Sequence, residues 1–263
     1  ARPPLSAVLI TLDAERLLAD VLAALAWCDE IIVVDSGSTD RTVEIARANG
    51  ARVIVHPFAG FSAQKQFAVE QAAHDWVLAI DADEIVSPEL AREIQGTLGQ
   101  VAAGTLPHVA FEVPRSLVFL GRLMRHGGEF RTPQLRLWNR HHGRYTPALV
   151  HERVLVEGQV GRLEGEMLHD SYAGLDDYFD KFNRYTTAAA RELAARNADV
   201  GVAKVVFRFP LTFFQQYFVR GHVLNGYPGF LWALFSAMYP VVKYAKARER
   251  RRQGGRGDGD SAR

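Results

Sequence analysis

The chain has 263 residues, 48% of them hydrophobic, with 31 basic against 30 acidic side chains and a formal net charge of +1. That length suits one α/β domain with an appendage, or two small domains, and is ample for a core. The charge balance argues against general affinity for nucleic acid, and the single cysteine, Cys28, excludes an intramolecular disulfide and the usual zinc spacings.

The opening run "ARPPLSAVLITLDAERLL" lacks a secretory layout, because its apolar part is short and passes straight into a charged helix. The expectation is a chain that stays in the cytoplasm. Ser6 to Ile10 reads as a buried strand, followed by a helix with Leu17, Leu18, Val21, Leu22 and Leu25 on one face. Glu30 to Asp35 is a second strand and "STDRTVEIARANG" a short helix stopped at Gly50. "ARVIVH" and "DWVLAID" are further strands, with the helix "FSAQKQFAVEQAA" between them. "SPELAREIQGTL" is a helix with Ser87 as N-cap, Pro88 in its first turn, and Leu90, Ile94 and Leu98 in register. Alternating strands and helices with short links predict a parallel sheet covered on both faces.

From about Val101 the pattern changes. "VAFEV", "PQLRLWN" and "ERVLVEG" read as strands, and "GLDDYFDKFNRYTTAAARELAARNA" as a long amphipathic helix. Val200 to Arg248 holds no Asp or Glu, yet carries Lys204, Arg208, Arg220, Lys243, Lys246 and Arg248. Within it, "VLNGYPGFLWALFSAMYPVV" is twenty residues without a formal charge, interrupted by Asn225, Gly226, Pro228, Gly229 and Pro240. Aromatic bulk flanked by cations predicts an interfacial segment on an anionic membrane surface; a hydrophobic helical pair packed on protein is the alternative. The end, "RERRRQGGRGDGDSAR", has the composition of a disordered tail.

Two acidic loops fall at the carboxyl ends of predicted strands, where open parallel sheets bind ligands. Asp35 ends an apolar strand and precedes Ser36 to Asp40; alone it could be a cap for the next helix. Asp81, Asp83 and Glu84 crowd three carboxylates into four positions, which is unfavourable without a cation among them. Mg²⁺ suits such a place, since it takes one or two carboxylates and completes its shell with substrate phosphates. Glu84 is expected to serve the positive end of the following helix instead.

"LSAVLITLDAERLL", "IIVVDSGSTDRTVEIA", "GFSAQKQFAVEQA" and "WVLAIDADEIVSPEL" occur in an order and spacing that resembles glycosyltransferase family 2, with its GT-A fold. The later "RLWNR", "VHERV", "LHDSYAGLDDYFDKFNRYT" and "GYPGFLWALFSAMYPVVKYAK" resemble bacterial lipopolysaccharide core glucosyltransferases acting on inner-core heptose. The resemblance implies a mixed, mainly parallel Rossmann-like sheet flanked by helices, with a C-terminal helical membrane-associating region. It implies a nucleotide-binding half over residues 1–100, an acceptor-binding half of the same domain over 101–172, a helical membrane-surface region over 173–248 and a tail over 249–263. The implied activity is inverting, metal-dependent transfer of a sugar, glucose from UDP-glucose above all, to a lipopolysaccharide core or other glycolipid at the inner face of the bacterial inner membrane.

By the same resemblance Asp35 contacts uracil or ribose, and Thr11 and Asp13 line the base pocket. Asp81 reaches the ribose or the metal shell, Asp83 ligates a divalent ion (Mg²⁺ or Mn²⁺), and Lys65 faces the nucleotide. Relatives commonly carry Thr-x-Asn-Glu-Glu where this chain has Thr11-Leu12-Asp13-Ala14-Glu15, so Glu15 stands in for the carboxylate missing at Ala14. Single-displacement chemistry needs a base on the acceptor hydroxyl, and Glu152 in "VHERV" occupies the family's position for it. His169 in "MLHDSY" is the candidate for a further metal ligand, with Asp170 competing, and His151 is expected to orient the acceptor or Glu152. Gly121, Arg122, His126, Arg131 and Arg136 fall in the segment expected to face the acceptor, where arginine either clamps phosphate or carboxylate groups or simply faces solvent, and no single one of them is assigned a role.

Two other readings share this pattern. A nucleotidyltransferase needs a glycine-rich basic loop after the first strand, and "TLDAERLL" has no glycine. A non-catalytic membrane scaffold has no use for Asp81, Asp83 and Glu152. The sequence leaves the oligomeric state open.

Overall fold

The computed structural model describes residues 1–146, 153–196 and 201–257, which form two compact units. The first comprises Ala1–Leu117 and Phe130–Ser171; the second comprises Val118–Glu129 and Tyr172–Arg263.

The first unit is built on a mixed sheet. Its parallel part consists of β1 (Leu5–Thr11), β2 (Glu30–Asp35), β3 (Arg52–Val55) and β4 (Trp76–Ala79), in the order β3-β2-β1-β4. Helices α1 (Glu15–Ala24), α2 (Thr42–Ala48) and α3 (Phe61–Glu70) make the crossovers. Alternation along each strand divides the core in two. Leu5, Leu9, Val33, Trp76 and Leu78 join Leu18 and Leu22 of α1 on one face; Val8, Ile32, Val34 and Val77 join Ala68 and Val69 of α3 on the other.

Beyond β4 the chain departs from a simple alternation. A three-residue strand, β5 (Glu84–Val86), intervenes before α4 (Pro88–Ala102). Helix α4 begins as its sequence predicts: Ser87 Oγ accepts from the Leu90 N–H at 3.2 Å, Pro88 fills the first turn, and Leu90, Ile94 and Leu98 are buried. β6 (His108–Phe119) is twice as long as its apolar core suggests, and β7 (Arg122–Leu123) turns back on its end within the second unit. β8 (Thr132–Asn139) lies antiparallel between β4 and β6. β9 (Gly143–Tyr145) pairs only with β10 (Val154–Val156). β11 (Gln159–Arg162) and β12 (Met167–His169) run parallel to β6 on its free edge, and β12 pairs antiparallel with β5.

The second unit is mainly helical: α5 (Leu175–Ala195), α6 (Val202–Phe214) continued by a π turn over Gln215–Val219, and α7 (Gly226–Gly257). Aromatic rings of Phe119, Tyr172, Tyr178, Trp232 and Phe235 pack edge to face or tilted at its centre, with Phe182 stacked on Tyr178, arrangements that suit their quadrupoles. Helix α7 passes through Pro228, Gly229 and Pro240, and it keeps the run Arg248–Arg252 helical, so the tail composition does not set the helix end. Its residues Leu231, Ala233, Phe235 and Ala237 are buried. Much of the stretch expected at a membrane interface is therefore internal. No helix among the described residues is long and apolar enough to cross a membrane.

Candidate active site

The parallel strands deliver their carboxyl ends to one rim of the first unit, and β1 and β2 finish side by side with Thr11 opposite Asp35. Asp35 is 1% exposed and accepts four hydrogen bonds: from Thr11 Oγ1 at 2.9 Å, the Gly37 N–H at 2.9 Å, the Ser38 N–H at 2.8 Å and Ser38 Oγ at 2.5 Å. Burial opposes its ionisation, but those donors outweigh burial and hold the carboxyl below the usual range. Gly37, at φ +95°, permits the turn that aims both amides back at the strand end.

The loop after β1 is stitched to the same ledge. The Asp13 N–H donates to Ser38 Oγ at 2.9 Å, while the Asp13 carboxylate accepts from the Thr39 N–H at 2.8 Å. Asp13 sits at φ +48°, a left-handed conformation that aspartate tolerates better than most residues. The Ala14 N–H donates to Thr42 Oγ1 at 2.8 Å, and Glu15 accepts from the Arg41 N–H at 3.0 Å. Thr11, Asp13, Glu15 and Asp35 thus form one continuous network. The Glu15 carboxylate lies against the start of α2.

The second acidic loop is held by cations from elsewhere in the chain. Asp81 Oδ1 lies 2.8 Å from Lys65 Nζ of α3, and Oδ2 lies 2.7 Å from the guanidinium of Arg136 on β8. Arg136 also reaches Glu84 Oε1 at 2.5 Å, Arg115 of β6 approaches that oxygen at 3.4 Å, and Glu84 Oε2 accepts from the Asp81 N–H at 3.0 Å. Arg136 is 7% exposed and Glu84 0%. Burial opposes the charge on Asp81, yet Arg136 and Lys65 overcome it and hold the carboxyl far below the usual range. Burial likewise opposes the charge on Lys65, and Asp81 overcomes it, raising the ammonium above its ordinary value.

Two expectations change here. Glu84 is not the acid of a helix N-terminus: it is a strand residue in β5, and its carboxylate is the buried counterion of Arg136. Arg136 is not a solvent-facing clamp for an acceptor, because its guanidinium lies under the acidic loop and bridges Asp81 to Glu84. Arg131 is engaged by Glu164, with 2.8 Å contacts to both its carbonyl and its carboxylate, and Gly121, Arg122 and His126 belong to the second unit.

Asp83 faces a different neighbour. The antiparallel register of β5 and β12 sets His169 opposite Glu84, and His169 Nε2 then lies 3.4 Å from Asp83 Oδ2. Ser171 Oγ joins the pair, 3.1 Å from Asp83 Oδ2 and 2.5 Å from His169 Nε2. Asp170 is drawn away, pairing with Arg16 at 3.2 Å while its N–H donates to the Asp83 carbonyl at 3.0 Å. Burial opposes ionisation of Asp83; the imidazole beside it outweighs burial and lowers its pKa. Among the described residues no three His, Cys, Asp or Glu side chains converge to hold an ion. A carboxylate beside an imidazole, as in Asp83 and His169, suits a divalent transition metal better than Mg²⁺, with phosphate oxygens and water left to complete the shell.

Between the ends of β1 and β4, Lys65, Asp81 and Tyr145 line a small pocket with Val8, Ile10, Ala68 and Ala79. The Tyr145 hydroxyl is buried there without a hydrogen-bond partner, and burial pushes its phenol up to about 12 against the opposing pull of Lys65 and Arg136. Glu152 and His151 lie outside the described residues. Tyr145, Arg115 and Ser171 were not anticipated. Arg136 carries a signal in the sequence: an arginine inside the apolar strand "QLRLWN" needs a carboxylate partner when buried, and the acidic loop supplies Asp81 and Glu84.

Residues 6–157 match the family glycosyl transferase family 2. A lipopolysaccharide core biosynthesis glycosyltransferase, LpsC of Rhizobium meliloti, is 32% identical over 94% of this chain and 93% of its own length. An uncharacterized glycosyltransferase of Rickettsia typhi is 28% identical over 93% of this chain and 87% of its own. Among solved structures, glucosyl-3-phosphoglycerate synthase of Mycobacterium tuberculosis, crystallised with Mn²⁺, UDP and glucosyl-3-phosphoglycerate, is 26% identical over 43% of this chain and 44% of its own, with a TM-score of 0.37. S. aureus TarS is 15% identical over 97% of this chain and 92% of its own, with a TM-score of 0.47.

Proposed function

From the premise that the chain belongs to glycosyl transferase family 2 and is a glycosyltransferase, we propose that it moves a sugar from a UDP-sugar, with inversion, onto a lipopolysaccharide-core or related glycolipid acceptor. The observation that carries the donor half is the pairing of Asp83 with His169 at the rim, on the same acidic loop as the Asp81–Lys65 pair, together with the ledge formed by the first two loops. A diphosphate requires such a place: cationic or metal charge for its oxygens, next to a polar ledge for the nucleoside. The full-length likeness to LpsC supports the acceptor class, and glucose is the sugar favoured by the sequence resemblance.

In this reading Asp83 and His169 would hold the divalent cation, which, when bound, neutralises the leaving diphosphate. Asp35 shapes the ledge through its four hydrogen bonds, and Thr11 and Asp13 present that ledge to the nucleoside. Lys65 keeps Asp81 ionised and adds positive charge beside the diphosphate. Glu152 removes the acceptor hydroxyl's proton as its oxygen bonds to the anomeric carbon and the carbon–oxygen bond to the diphosphate breaks. The chain acts as a peripheral protein on the cytoplasmic side of the inner membrane.

A screen of UDP-sugars with purified protein, with and without Mg²⁺ or Mn²⁺, tests the reading by calorimetry and by release of UDP. Metal-dependent binding of at least one donor is expected, and no binding of any nucleotide sugar in either metal overturns the proposal. Glu152→Gln is expected to keep UDP binding and lose transfer; unimpaired turnover removes Glu152 as the base.

A further inference from the structure

We infer that the α6–π-turn segment of the second unit is a lipid-contacting ridge that rests on an anionic phospholipid surface, and that this ridge with the adjoining Leu224 and Tyr227, rather than the buried part of α7, makes the membrane contact. Phe207, Leu211, Phe214 and Phe218 follow one another at intervals of four, three and four residues, which places them along one side of a helix. All four are exposed, between 54% and 67%. Val219, Leu224 and Tyr227 extend the exposed apolar surface past the turn. A helix that covers a core buries such a stripe, whereas here the stripe faces out. The inner side is occupied: Phe213 and Tyr217 each meet Phe230 of α7 edge to face at 5.9 Å. Two helix irregularities, Pro210 inside α6 and the π turn over Gln215–Val219, lie within the ridge itself.

Charge selects the occupant. Residues 200–248 contain no carboxylate, and Arg208 and Arg220 are exposed beside the aromatic side chains. An apolar stripe whose own segment carries cations and no carboxylate suits an acyl boundary beneath anionic headgroups. A second copy would set the same cations against one another, which disfavours self-association through this face. Since no described helix can span a bilayer, the contact is in the plane of the surface. The buried residues of α7, Leu231, Ala233, Phe235 and Ala237, have no part in it. The ridge deepens the peripheral placement proposed above but does not rest on the donor site, so its test is read without turnover.

The test is co-sedimentation of the full chain with vesicles of phosphatidylethanolamine and phosphatidylglycerol, compared with phosphatidylcholine alone. Binding to the anionic vesicles is expected to be at least about tenfold tighter and to weaken with added salt. The double substitution Phe214→Ser and Phe218→Ser is expected to lower that binding at least about tenfold while leaving the thermal transition and donor binding in place. Arg208→Glu is expected to reduce the preference for anionic over neutral vesicles. A single Phe214→Trp, which keeps the apolar face, is expected to retain binding and to shift its emission to the blue when vesicles are added. Wild-type protein left in the supernatant with anionic vesicles at low salt overturns the inference. So does unchanged binding by the double variant, or a dimer in sedimentation velocity that the double variant breaks without any vesicle binding. Loss of donor binding in the UDP-sugar screen with vesicle binding intact would strike the proposed donor reading and leave the ridge standing.

Discussion

The two acidic loops on the rim of the first unit solve one electrostatic problem in opposite ways. Asp35 keeps its charge with neutral donors, three of them within three residues of itself and the fourth on the neighbouring strand. Asp81, Asp83 and Glu84 are instead partnered by Lys65, Arg136, Arg115 and His169, which come from a helix and three strands spread over more than a hundred residues. A carboxylate satisfied by its own loop is a structural fixture. One held at the rim by a residue from elsewhere in the chain, as Asp83 is, can exchange a partner, and the proposed donor site rests on that freedom.

The largest effect is expected where imported charge is deepest. Arg136→Met leaves Glu84 buried without its guanidinium and should cost roughly 3–5 kcal/mol, read as a fall in the denaturant midpoint. Adding Glu84→Gln to it should recover part of that loss; no recovery would mean that the guanidinium matters for packing and not for charge. Next comes Asp83→Asn, which should weaken metal-dependent donor binding about 10- to 100-fold in calorimetry while leaving the thermal transition nearly unchanged, since Asp83 sits at the rim and its carboxylate is partly exposed. If its melting temperature fell as far as that of Arg136→Met, the distinction between exchangeable and fixed charge would fail.

Asp35→Asn should cost about 1–3 kcal/mol, because an amide puts N–H groups against the donors of Ser38 and Gly37. Its pH dependence has a defined sign. The folded pKa of Asp35 lies below the unfolded value, so its contribution is fully present above roughly pH 4 and is lost as pH falls below that value toward the folded pKa. Acid titration of the variant should therefore show a shallower loss of stability below pH 4 than the parent. Thr11→Val, which removes one of four donors, is the smallest change, about 0.5–1.5 kcal/mol.

The same contrast explains how far the sequence carries. The succession of strands and helices in the first hundred residues, the capping of α4 by Ser87 and the grouping of Thr11, Asp13 and Asp35 follow from residues that are neighbours in sequence or at the ends of adjacent parallel strands. β5 was hidden because three residues are too few to show a period, and because Asp83 and Glu84 look like helix-starting acids. The partnership of Arg136 with Glu84 depends on β8 inserting between β4 and β6, a crossover that no local pattern announces. In the second unit, hydropathy pointed to the stretch from Val223 to Val242 because charge is absent there. The structure buries its alternate residues and exposes α6 and the π turn, whose apolar residues are diluted by Arg208, Gln215 and Gln216. Average hydropathy finds apolar mass, and only packing decides which side of it is covered.

The segment between β11 and β12 acts as a spacer of fixed length. Leu163 is buried, the N–H groups of Glu164 and Gly165 donate to Glu93 of α4 at 2.6–3.1 Å, and a Cβ on Gly165 would come within 2.5 Å of the Leu90 backbone. Pinned at those points, it has no slack to absorb an added or deleted residue. A one-residue change there would slide β12 past β5 and turn Leu168 or Asp170 toward Asp83 in place of His169. Tolerance to insertion, normally generous in a surface loop, is expected to be near zero over residues 163–166. Selection on this chain should then be read there in its length as much as in its side chains.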